Sequence, residues 1–128
     1  MTNHRRGDVK NLYRYGFLRS PAWFARRDSW FTAETRITGL LVCAGCGELA
    51  GKDQLELHHL DYSGVTLESG RWRAHEEHDD LTPMHPYCHD LLHRLLDRDT
   101  VLAKHRDRRT ASLAALERLR IKLTSETS

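Results

Sequence analysis

All three cysteines of this chain, and seven of its nine histidines, lie between residues 43 and 93. Thiolate and imidazole are transition-metal ligands, so this clustering limits the folds open to the chain. Cys43-Ala-Gly-Cys46 is a C-x-x-C turn, and His85-Pro-Tyr-Cys88 is an H-x-x-C turn. Together they offer three thiolates and one imidazole, a tetrahedral zinc set. The short spacing lets both ligands of each turn reach one ion at about 2.0–2.3 Å. Glycine at 45 and 47 lets the backbone curl around it. Four protein ligands leave no open coordination position, which points to a structural zinc. Thioredoxin-like redox chemistry would need a βαβ context that the sequence lacks.

The same stretch, MHPYCHDLLH, holds two further histidines, His89 and His93. They are four apart, so on a helix they share one face. His89 follows Cys88 directly, about 100° round the helix, and points away from the zinc turn. Two sites on two sides of one helix start are therefore expected. The second needs more ligands, and LELHHLDY, read as a strand, supplies them. Alternation places Glu56 and His58 on one face and Leu55, Leu57 and His59 on the other. Adjacent histidines on a regular strand cannot both reach one ion, so one binds and the other has a separate task.

The length of 128 residues suits one domain with a modest core that a metal would help to stabilise. Net charge is only +2, but it is unevenly spread. Residues 1–27 carry seven Lys/Arg against one acid, residues 28–93 four against twelve, and residues 94–122 nine against four. Basic ends flanking an acidic middle suit a polyanion held at the ends; solvated helix faces are the plainer reading. No stretch approaches the roughly 20 apolar residues of a membrane span. The first residues lack an apolar signal core, and three cysteines make no closed disulfide framework. A cytoplasmic protein away from membranes is expected.

Ser20-Pro21 reads as a helix start, with a hydroxyl cap and proline at the first position. Trp23, Phe24, Arg27, Trp30 and Phe31 follow at helical spacing, the aromatics as core. ITGLLVCAGCGEL reads as a short strand into a turn. DYSGVTLESGRW reads as a loop or hairpin, residues 81–84 as an extended piece, and a helix should begin near Tyr87 or Cys88. From Thr100 the chain reads as an Arg-rich helix. Its stripe of Leu113, Leu116, Leu119 and Leu123 would pack on the body or pair with a second copy. TSETS reads as a disordered end.

The ordered set of C-x-x-C, LELHH, and H-x-x-C-H-x-x-x-H resembles the HNH endonucleases, the ββα-metal or His-Me finger family, over about residues 41–96. The S-P-x-W segment is similar to the leader of small phage and actinobacterial members. The resemblance implies an α+β, mainly helical fold in a single domain. Residues 1–40 would be a basic N-terminal helical segment, 41–96 the ββα-metal core with its zinc site, and 97–123 a basic C-terminal helix.

It also implies hydrolysis of DNA phosphodiester bonds, with His59 as general base. His58, His89 and His93 would hold a divalent metal (Mn²⁺, Ni²⁺, Zn²⁺, Co²⁺ or Mg²⁺), with Mg²⁺ the weakest match to imidazole. Cys43, Cys46, His85 and Cys88 match the accessory zinc site. Asp80 stands where the family has its central Asn; an ionised Asp accepts but does not donate, so Asp79 or Asp80 would orient an imidazole or a water instead. Glu56 matches an acidic position that stands behind the metal or pairs with an arginine, and Arg94, one residue after His93, is the candidate to touch the scissile phosphate. Arg5, Arg6, Lys10, Arg26, Arg27, Arg98, Arg106, Arg108 and Arg109 are candidate DNA-backbone contacts. Monomer and homodimer through the C-terminal helix are both open. The rivals are a non-catalytic zinc module for DNA or protein, and an enzyme acting on RNA or another phosphodiester.

Overall fold

The computed structural model describes residues 15–98 and 107–127. Arg5, Arg6, Lys10 and Arg106, and the expected helix start at Thr100, lie outside the described residues. The fold is a small, mainly helical α+β arrangement with two two-stranded antiparallel sheets.

Helix α1 spans Pro21–Thr38. The Ser20 hydroxyl accepts the Trp23 amide at 3.2 Å, and proline occupies the first turn. Trp23, Trp30 and Phe31 are buried, whereas Phe24 is 54% exposed. The expected strand from Ile37 does not form. The helix runs on to Thr38 and ends at Gly39, whose left-handed backbone (φ 76°) lets its amide bond to Thr35 O. Beyond it, Val42 and Leu49 make only an isolated bridge, across the Cys43–Cys46 turn.

Strand β1 (Glu56–His59) pairs antiparallel with β4 (Leu81–Met84), placing His58 opposite Thr82 and His59 opposite Leu81. Between them, β2 (Val65–Glu68) and β3 (Arg71–Ala74) form a hairpin. Its turn residues Ser69 and Gly70 both have positive φ, as a type I′ turn requires. Helix α2 (Pro86–Arg98) follows β4 directly and packs on β1 and β4.

Helix α3 (Arg108–Thr127) packs along α2. Its buried face is Ala111, Ser112, Ala115, Leu116 and Leu119. Of the expected stripe, Leu116 and Leu119 are buried within the chain and Leu123 packs partly buried against the core, whereas Leu113 lies off that face and is 47% exposed. Residues 124–127, expected as a disordered end, continue the helix. The core joins α1 aromatics, both strands of the β1–β4 pair, and the facing sides of α2 and α3. Among the described residues, no helix is long and apolar enough to cross a membrane.

Candidate metal centres and the histidine pocket

The Cys43–Cys46 turn lies against the start of α2. Ala44 N–H bonds to Pro83 O at 2.8 Å, and Gly45 and His85 amides both donate to Cys43 Sγ at 3.3 Å. A β-carbon on Gly45 would lie 3.0 Å from Cys88 Cβ and 3.3 Å from Leu119, so glycine allows the close approach. Cys43, Cys46, His85 and Cys88 bring one ligand atom each to within 4.8 Å of one another. His85 turns Nδ1 toward Cys46 Sγ at 3.3 Å.

Burial would push the Cys43 thiol up, but amides of His85, Cys46 and Gly45 outweigh it and bring it down to about 7. Burial, then the negative charge of Cys43, pushes Cys88 up to about 12. Three thiolates cannot share this space without a cation, which is the electrostatic signature of a metal-binding set. The group could hold one ion, and zinc fits its donors.

The second cluster is His58, His89 and His93. His58 Nδ1 lies 3.2 Å from His89 Nε2, which is 3.0 Å from His93 Nε2. Nitrogens bound tetrahedrally at about 2.0–2.1 Å from one ion stand about 3.3 Å apart, so the spacing fits a shared metal. The outer ring atoms are held too. His58 Nε2 meets the buried Ser112 hydroxyl at 3.0 Å, and His89 Nδ1 meets Glu56 Oε1 at 3.2 Å. Protons placed on these outer nitrogens leave lone pairs converging inward, the usual outer-shell arrangement around metal-binding histidine.

Burial, then the Arg108 charge, pushes His58 down to about 2, so it stays neutral and ready to ligate. The consequence for stability has a definite sign. The unfolded chain takes up a proton on His58 below its ordinary value of about 6.5, and the folded chain does not. Stability with the three-histidine cluster empty is therefore expected to hold above pH 6.5 and to fall on acidification, by up to about 1.4 kcal/mol per pH unit from this residue. Urea unfolding, between pH 7.5 and 5, of protein carrying a single zinc equivalent checks this; a flat profile would contradict it.

His58, His59, His89, His93, Tyr62 and Arg108 line one pocket of about 360 Å³. His59 is 2% exposed, and strand alternation sets it on the other face of β1 from His58. Its ring stacks on Tyr62 at 4.2 Å and lies 4.7 Å from Trp23. Its Nε2 is 2.7 Å from Glu76 Oε2.

The remaining site candidates divide. Glu56 sits behind His89, as above. Asp80 does not meet an imidazole: it accepts the Glu77 amide at 2.9 Å and pairs with Arg109. Among the described residues, Asp79 meets Arg109 through its carbonyl. The carboxylate beside His59 is that of Glu76. Arg94 is exposed and pairs with Asp90 on its own helix at 3.1 Å; the arginine that lines the pocket is Arg108. Arg108 donates to His59 O at 2.8 Å and lies over the Tyr62 ring. Arg26 and Arg27 donate to the carbonyls of Glu76 and of Lys52 and Leu55, and Arg98 is exposed at the end of α2. Glu76 and Ser112 are the two residues that the motifs did not single out.

No protein-family model, curated protein or solved structure matches this chain.

Proposed function

We propose that the chain is a metal-dependent DNA endonuclease of HNH type, with β1, β4 and α2 as its ββα-metal unit. The observation that carries the reading is the pocket itself. Three imidazole nitrogens converge at 3.0 and 3.2 Å, and a fourth histidine, held by a carboxylate, lines the same cavity.

His58, His89 and His93 would hold a divalent cation, which supplies positive charge for a phosphate oxygen and the departing 3′ oxygen. His59 takes a proton from the attacking water. The water oxygen forms its bond to phosphorus as the bond to the 3′ oxygen breaks, leaving a 5′-phosphate and, after protonation from solvent, a 3′-hydroxyl. An imidazole suits this step near neutral pH because it is largely unprotonated yet basic. Arg108, rather than Arg94, is the arginine placed to meet a phosphate in the pocket. The Cys43, Cys46, His85 and Cys88 set would hold a structural zinc. A zinc module without catalysis needs only that set and leaves the histidine pocket without a task.

Supercoiled plasmid incubated with Mn²⁺ tests the reading. The protein is expected to nick it, and His59→Ala, purified in parallel, to be slower by about 100-fold or more, within the 10²–10⁴ span of general-base contributions. No nicking with Mn²⁺, Ni²⁺, Co²⁺, Zn²⁺ or Mg²⁺ would sink it.

A further inference from the structure

Glu76 has no exposed side-chain surface. Its Oε2 meets His59 Nε2, and its Oε1 is buried with no hydrogen-bond partner. Burying a carboxylate is costly unless its pairing offsets the lost hydration, and an apolar side chain of similar volume would fill the space at less cost. The fold nevertheless goes to some length to deliver this group.

The β2–β3 hairpin carries the chain out from β1 and returns it beside His59. Trp72, Ala74 and Glu76 fall on one parity of the returning strand and its extension, and burial deepens along them to Glu76. Two contacts pin the segment. His75 N–H donates to Gly64 O at 2.8 Å, and Arg26 donates to Glu76 O at 3.0 Å. A β-carbon at position 64 would stand 2.6 Å from His75 C and O and from Glu76 N. Only glycine lets the two backbones come this close. The His59 ring is thus confined in its plane by Tyr62 and Trp23, while Glu76 fixes its rotation within that plane.

We propose that Glu76 is the positioning residue of His59: its carboxylate accepts the Nε2 proton, locks the ring and leaves the basic lone pair on Nδ1. This rests on the reading of His59 as general base. The proton from water then arrives at Nδ1, and the resulting imidazolium keeps its Nε2–H directed at the Glu76 carboxylate. The hairpin is, on this view, the arm that carries the positioning group.

The test is ring ¹⁵N NMR of the zinc-loaded protein near pH 7.5, paired with plasmid cleavage. Wild-type His59 should show its proton on Nε2. Glu76→Met, similar in length but without an acceptor, should populate the other tautomer and lower kcat by about 100-fold, with KM and both bound ions unchanged. Glu76→Gln keeps an oxygen at the same reach and should restore the tautomer and part of the rate. A wild-type proton on Nδ1 or on both nitrogens, or a Glu76→Met variant with unchanged tautomer and rate, would overturn the proposal. If the expected tautomers appear but no variant cleaves DNA, the nuclease reading fails while the Glu76 clamp stands.

Discussion

Cys88→Ser is expected to cost the chain its stable fold. Cys88 is 3% exposed in the first turn of α2 and sits among Cys43, Cys46 and His85. Structural zinc contributes about 10–16 kcal/mol of apparent binding free energy in small domains. Whole-domain stability is about 5–15 kcal/mol. An ion of that strength outweighs any other single feature in a chain of 128 residues. A serine oxygen is a poor substitute for a soft thiolate donor. Thermal melting followed by circular dichroism should show no cooperative transition for the variant in zinc-containing buffer. Wild type stripped by a strong chelator should behave alike. A variant melting within a few degrees of wild type would mean that the four residues do not hold the fold.

His89→Ala should have the opposite profile, with the fold kept and the second site lost. The His89 side chain is only partly buried, and its ring atoms face His58, His93 and Glu56. Loss of an outer-shell partner typically costs 10–100-fold in metal affinity. Removing a direct ligand should exceed that, so a loss of about 100-fold or more is expected, with nicking reduced in step. Glu56→Gln should fall within the smaller range. Calorimetric titration of Mn²⁺ into protein carrying a single zinc equivalent separates the two. Wild-type Mn²⁺ affinity in His89→Ala would remove the three-histidine site from the account.

The first candidate ligand set was readable as spacing; in the second, spacing gave His89 and His93, and the family resemblance chose His58 over His59. C-x-x-C and H-x-x-C are local patterns, and the helical offset of His89 from Cys88 divides the crowded stretch into two faces. Strand alternation likewise divides His58 from His59. The helix end was harder to read because Ile37 and Thr38 are β-branched and favour strands, whereas Gly39 supplies a left-handed cap that lets the helix continue to it. Glu76 escaped because its partner is 17 residues away across a hairpin. The one clue was its parity with Trp72 and Ala74, an acid on the inward side of a strand. Ser112 escaped for a related reason: it is a small polar residue on the buried face of α3, and its partner His58 is 54 positions earlier. Arg94 adjoins a ligand in sequence but projects outward at that turn, whereas the start of α3 brings Arg108 back to the His59 carbonyl.

The central claim is that one helix start serves two ions, His85 and Cys88 turned to one and His89 and His93 to the other. Native mass spectrometry of protein equilibrated with zinc tests it directly. Two zinc ions are expected per wild-type chain and one per His89→Ala chain. One ion in wild type, or two retained in His89→Ala, would contradict it.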